Sequence, residues 1–228
     1  MARGFAREGN EFGRGVGFFD AIYGFAITLL VANLDLPPAE AWQSVDTLFD
    51  SPFGEQLLAF AISFVVIAVF WKSNTNLLSR FRAIDSPVIA ANLVGAGFVV
   101  LIPFSTQGIS EDPFGALPLP TALYAVNVSL VILAHQLIFE IGCARGLLVD
   151  RVTPRARWAA RIDVLAQVAV FVASIPVAFL VDSSWARTTW AALIVISPLT
   201  GRWSERVSAE RRERAADAAA GSIRRPGE

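Results

Sequence analysis

An all-α membrane protein of six transmembrane helices, with both termini cytoplasmic, is the fold this sequence predicts, on three observations. Hydrophobic residues make up 54% of the 228 and charged residues only 17%, against about 25% charged in a soluble domain. Six stretches meet or approach the roughly 20 apolar residues with which a helix crosses a hydrocarbon core about 30 Å thick, satisfying its own backbone groups where lipid cannot. Finally, the basic residues gather in alternate loops.

The stretches are 17–36, 55–78, 86–106, 117–142, 163–181 and 183–201. The sixth is short and carries Arg187 near its start, so charge placement has to decide it. With the N-terminus inside, one side of the membrane receives Arg3, Arg7 and Arg14, then Lys72, Arg80 and Arg82, then Arg145, Arg151, Arg155, Arg157 and Arg161. A C-terminal tail adds seven arginines to that side. The loops at 37–54, 108–116 and 182–187 hold acids and a single basic residue, Arg187. Five helices would strand the arginine-rich tail outside, against the excess of Lys and Arg in cytoplasmic segments. The first stretch contains Asp20, lacks a small-x-small cleavage site and precedes five further spans, which argues against a signal peptide.

The loops are short and no segment repeats, so the division is one transmembrane domain, 1–201, and a basic cytoplasmic tail, 202–228. Within the tail, 203–220 reads as a polar helix with Glu210 four residues before Arg214. Its charge either grips anionic head groups or reflects the chain's preference for arginine over its one lysine. The net charge of −1 gives no reason to expect a nucleic-acid partner. Pro37, Pro38, Pro118, Pro120 and Pro198 sit at or near helix ends, whereas Pro103 and Pro176 fall in apolar runs and predict bends.

Catalytic chemistry needs convergent titratable groups, and the sequence has one His, one Cys and no Walker, HExxH or GxSxG pattern. An enzyme, a metal site and a bound cofactor are therefore not expected. The lone Cys143 permits no intramolecular disulfide and reads as a small buried hydrophobe. His135, inside the fourth stretch, is either a proton relay or ligand or, the favoured reading, a neutral imidazole bonded to a neighbouring helix.

The start of the first helix is the most informative segment. Arg14 and Asp20 put opposite charges at the inner membrane edge, where each needs a protein or water partner. Six residues separate them, so they project about 120° apart and about 9 Å along the axis, too far round for an i,i+4 pair. Each is expected to meet a different neighbouring helix. On another face Phe18, Phe25, Thr28, Leu29 and Ala32 recur at helical spacing as an apolar stripe with one hydroxyl, in isolation an ordinary packing face.

These residues resemble the transmembrane protein 175 family of potassium channels, whose first helix begins R-x-x-x-F-S-D. Arg14, Phe18 and Asp20 match that pattern, and the run from Phe25 to Val31 is similar to its continuation. In the second helix Ser63, Phe64, Phe70 and Trp71, and in the third Asn92 and the Ile102-Pro103-Phe104 run, also fit. The resemblance implies a homotetramer in the cell membrane with a central potassium-permeable pathway lined by first helices and without a TVGYG filter. It implies Phe25 at the hydrophobic constriction, Thr28, Leu29 and Ala32 along the lining, and Arg14, Phe18, Asp20, Trp71, Asn74 and Asn92 in a helix-packing network. Three positions depart from the family: Phe25 stands for a bulky aliphatic residue, Phe19 for the motif Ser, and Asn74 for His. The competing readings are a secondary or proton-coupled transporter, for which only His135 and Pro176 speak, and a non-conducting protein of the same fold sealed by Phe25.

Overall fold

A computed structural model describes residues 4–111, 113–190, 192 and 193. A short strand β1 (Phe5–Ala6) leads into helix α1 (Asn10–Ala32). A 3-10 turn (Ala39–Gln43) and the short helix α2 (Val45–Phe49) then connect to α3 (Pro52–Leu78). Strand β2 (Ala83–Ile84) precedes α4 (Ser86–Val100), which passes into α5 (Ile102–Ser110). A 3-10 turn (Phe114–Ala116), α6 (Pro118–Arg145), α7 (Pro154–Leu180) and α8 (Ser183–Thr189) follow.

Among the described residues five helical units are long and apolar enough to cross a membrane: α1, α3, the α4–α5 pair, α6 and α7. They are longer than the apolar runs alone suggest, because amphipathic turns extend them. Thus α1 begins at Asn10 and carries Arg14 within it, and α7 begins at Pro154, capped by the Thr153 side chain accepting the Ala156 N–H. Residues 191 and 194–201 of the sixth stretch, and the tail, 202–228, lie outside the described residues; within the stretch α8 is a helix of seven residues.

The bend expected at Pro103 is a break two residues earlier. Proline has no N–H to give the carbonyl four residues back and its ring crowds that turn, so α4 ends at Val100 and α5 restarts at Ile102. The Asn33 amide beyond α1 donates to the Pro103 carbonyl at 2.7 Å, tying the break to the first helix. In contrast, α7 remains a single helix through Pro176.

One end of the bundle is clasped by backbone hydrogen bonds among three segments distant in sequence. β1 pairs antiparallel with β2, and the Arg7 N–H donates to the Arg82 carbonyl. The Arg82 N–H in turn donates to Leu147, and that of Val149 to Arg80. Gly146, at φ 63°, adopts the left-handed conformation that ends α6 and turns the chain back onto this clasp. Asp85 caps α4 and takes an ion pair from Arg145, while Glu140 on α6 receives both Arg157 and Arg161 from α7. The N-terminal segment, the α3–α4 link and the α6–α7 link therefore share one end, here the basic end.

The opposite, acidic end is joined by the Gln56 amide meeting Asp35, by the Ser183 hydroxyl on Ala116 and by Arg187 on the Ile109 carbonyl near the end of α5. A cation at a helix C-terminus is favoured by the exposed carbonyls there, so Arg187 has a local structural role. At this end Ser184 N–H donates to Asp182, which holds that carboxyl below its ordinary range and caps α8.

The core divides into two clusters. One, around Tyr23, Leu30, Ile67, Tyr124 and Val128, joins α1, α3 and α6 and is covered by Trp190, which stacks on Tyr124 at 4.9 Å. The other, Phe12, Phe19, Leu78, Phe81, Ile138 and Leu148, lies under the clasp. Cys143 is only half-buried at its edge, because it falls in the last turn of α6 where the clasp covers one side of the helix.

Candidate permeation face and its support

Helical geometry divides α1 into two faces. Phe12, Phe19, Tyr23, Ala26 and Leu30, three, four or seven residues apart, are buried against the other helices. The other face carries Arg14, Phe18, Phe25, Thr28, Leu29 and Ala32, all exposed on the single chain. Phe25 is 70% exposed and Phe18 56%, so the rings that would fill a core if turned the other way point out of the bundle. Gly13, Gly17 and Gly24 project about 80–120° round the helix from Phe25 and meet nothing within 4 Å where a side chain would start, leaving that flank of the helix smooth.

Thr28 Oγ donates to the carbonyl of Phe25 at 2.8 Å. The proton is thereby committed to the helix, and the lone pairs left on the hydroxyl oxygen are its remaining polar capacity, that of an acceptor.

Support comes from three polar contacts behind and beside this face. Trp71 Nε1 on α3 donates to Asp20 Oδ1 at 2.8 Å, a charge-assisted bond that fixes the rotation of α1 against α3. Asn92 on α4 donates to Asn74 Oδ1 on α3 at 3.2 Å, both side chains buried. Tyr23 OH on α1 and His135 Nε2 on α6 are 2.9 Å apart, and the imidazole also lies edge-on to Phe70 at 5.8 Å.

The structure brings together some of the residues singled out in the sequence and separates others. Asp20 and Trp71 meet, as do Asn74 and Asn92, but the two pairs are distinct contacts rather than one network around Asp20. Arg14 does not reach a neighbouring helix: it has no ion pair or hydrogen bond among the described residues, because it lies on the exposed face one turn before Phe18. Phe18 likewise packs outside the bundle, touching only the edge of Phe19 at 5.9 Å among ring contacts of the described residues. Phe19, in the place of the motif Ser, is fully buried in the lower core cluster.

Tyr23 is the supporting residue that sequence reading misses. A tyrosine inside an apolar run looks like ordinary filler, and the available signal was the solitary His135, whose buried nitrogen needs a partner from another helix. Tyr23→Phe is expected to cost about 1–3 kcal/mol by leaving that nitrogen unpaired, measured as a melting temperature lowered by several degrees in detergent.

Residues 14–103 match the family described as endosomal/lysosomal potassium channel TMEM175. A curated potassium channel of Chryseobacterium sp. is 24% identical over 129 residues, 57% of this chain and 64% of that one. One of Streptomyces collinus is 28% identical over 160 residues, 67% of this chain and 75% of its own. The fold is that of the crystal structure of a lysosomal potassium-selective channel TMEM175 homolog from Chamaesiphon minutus, with a TM-score of 0.66, 18% identity, and coverage of 83% of this chain and 98% of that one.

Residues 14–103 thus resemble the TMEM175 family. The family match begins at Arg14 and ends at Pro103, so it covers the exposed face of α1, the Asp20–Trp71 and Asn74–Asn92 contacts, and the α4–α5 break. TMEM175 is a family of ion channels rather than of enzymes, and among the described residues no group of three or more His, Cys, Asp or Glu side chains is arranged to hold a metal ion.

Proposed function

We propose that four copies of this chain form a passive potassium-permeable channel in the cell membrane, with both termini cytoplasmic and the six-helix domain 1–201 followed by the tail 202–228. The exposed α1 face carries the proposal. A single helix cannot enclose a pathway, but a cyclic arrangement brings equivalent stripes to one axis. In that arrangement Phe25 is the constriction, Thr28 offers a ring of hydroxyl oxygens, and Leu29 and Ala32 continue the wall toward the acidic end. Aromatic rings at the narrowest point exclude water when closed, and on rotating present their electron-rich faces to a cation. Asp20–Trp71 and Tyr23–His135 hold α1 from behind, so the stripe keeps its rotation toward the axis. Potassium is the permeant ion, and no cofactor is required.

Two measurements test this. Purified protein cross-linked with glutaraldehyde in detergent should run as a ladder ending at the tetramer; a clean monomer counts against the pore. Reconstituted in planar bilayers under a potassium gradient, it should pass ohmic current reversing near the potassium equilibrium potential. Saturating flux that moves only with a coupled ion would instead make it a carrier.

A further inference from the structure

Away from the exposed α1 face, a cleft of about 490 Å³ opens near the basic end between α3 and α7. Because α3 packs mainly on α1 and α5, and α7 on α6, the space between α3 and α7 is floored by α6. One wall is the last part of α3, which contributes Lys72, Ser73 and Asn76, with Arg80 from the turn after it, and the floor contributes His135 and Gln136. Two cations face one carboxylate on the lining, Asp163 of α7, and the neighbouring Glu140 is already taken by Arg157 and Arg161.

We infer that this cleft binds the phosphate headgroup of an anionic phospholipid. Lys72 and Asn76 lie one turn apart on α3, Arg80 follows in the turn two residues past its end, and all three line the cleft. The two cations thus flank an amide on the cleft wall, so a phosphate level with Asn76 lies within reach of both long side chains. Arg80 is held in place over the Phe139 ring at 5.2 Å, and Lys72 has no ion pair among the described residues. Above the polar part, the lining turns apolar through Val69 and Val164, and α3 continues with the exposed Val65, Ile62 and Leu58. A basic pocket that grades into an apolar groove matches a molecule with an anionic head and an acyl tail rather than a soluble anion.

The cleft also lies on the lipid side if Phe25 faces the axis. Tyr23 and Phe25 project about 200° apart around α1, and behind Tyr23 stands His135, which lines the cleft. That placement rests on the proposed channel, but binding is measured without conduction, so the two ideas fail separately.

The test titrates detergent-solubilised full-length protein with dioleoyl phosphatidylglycerol, dioleoyl phosphatidylcholine or inorganic phosphate, reading bound lipid by native mass spectrometry and protection by thermal melting. Phosphatidylglycerol should bind and stabilise in preference to phosphatidylcholine. The double variant K72Q/R80Q should need about tenfold more of it, from the loss of two cations near the headgroup. Asn76→Asp keeps both cations and the Arg80–Phe139 contact but puts a carboxylate between them, and it should erase the preference with the lipid-free melting temperature unchanged. Arg151→Gln, an exposed cation off the cleft, should behave as wild type, with the arginine-rich tail giving the same background throughout. Equal binding of the two lipids, undiminished binding by N76D, or protection by inorganic phosphate alone would overturn the inference.

Discussion

Phe25→Ala should raise potassium conductance several-fold in planar bilayers, and should produce current if the wild-type protein is silent. Phe25 is 70% exposed, so its ring contributes little to the packing of its own subunit, and truncating it should leave the fold intact. In the proposed tetramer four such rings meet at the axis, where an apolar constriction excludes water and thereby ions. Alanine keeps the helix, being the best helix former, and removes most of the obstruction. The pathway then widens at the point that limits flux, and discrimination between potassium and sodium should fall with it. Phe25→Trp should move conductance the opposite way. The effect should depend on the rotation of α1: Trp71→Phe, which removes the donor to Asp20, should alter conductance with Phe25 still present. Unchanged currents in F25A tetramers would remove Phe25 from the constriction. Silence in both wild type and F25A would favour a non-conducting protein of this fold.

Much of this architecture can be read from residue order because two strong signals agree. Apolar length marks the membrane helices, since backbone groups in lipid must be satisfied within the helix, and charge placement separates the two ends. The division of α1 was also legible: Phe18, Phe25, Thr28, Leu29 and Ala32 share one periodic face, and all are exposed. Periodicity does not say what covers that face, which is why it reads as ordinary packing until the family likeness is added. Partner choice was far less legible. Arg14 and Asp20 carry equal and opposite charges, yet one meets an indole N–H and the other no described neighbour. The outcome depends on how the neighbouring helices pack, and spacing along one helix is silent on that. The Tyr23–His135 bond spans 112 positions, and the clasp of residues 5–7, 80–84 and 147–149 consists of backbone bonds with almost no side-chain signature. Similarly, the α4–α5 break appears two residues before the proline that causes it, because a proline disturbs the turn that precedes it.

Gly142→Val should be the most destabilising single substitution at the basic end, for a reason that lies in this clasp. A side-chain carbon at Gly142 would begin 2.5 Å from Phe81 Cζ, 2.7 Å from Phe81 Cε1 and 3.1 Å from Leu148 Cδ2. Neither neighbour can retreat cheaply. Phe81 and Leu148 are bridged to each other, and the flanking bonds Arg82 to Leu147 and Val149 to Arg80 pin both backbones. The Phe81 ring is fully buried, so it has no solvent-side rotamer to move into. Alanine would recover about 1 kcal/mol of helix propensity over glycine against an overpacking cost of about 1–3 kcal/mol, so Gly142→Ala should be mildly to moderately destabilising. Valine adds two methyl groups to the same crowded space and should cost about 3 kcal/mol, a fall of roughly 6–12 °C in melting temperature for a chain of this size. Phe81→Leu in the G142V background should restore part of the loss by shortening the side chain that is struck. A G142V protein that melts like wild type would mean that the clasp yields, and that α6 and the α3–α4 link are not locked together at this end.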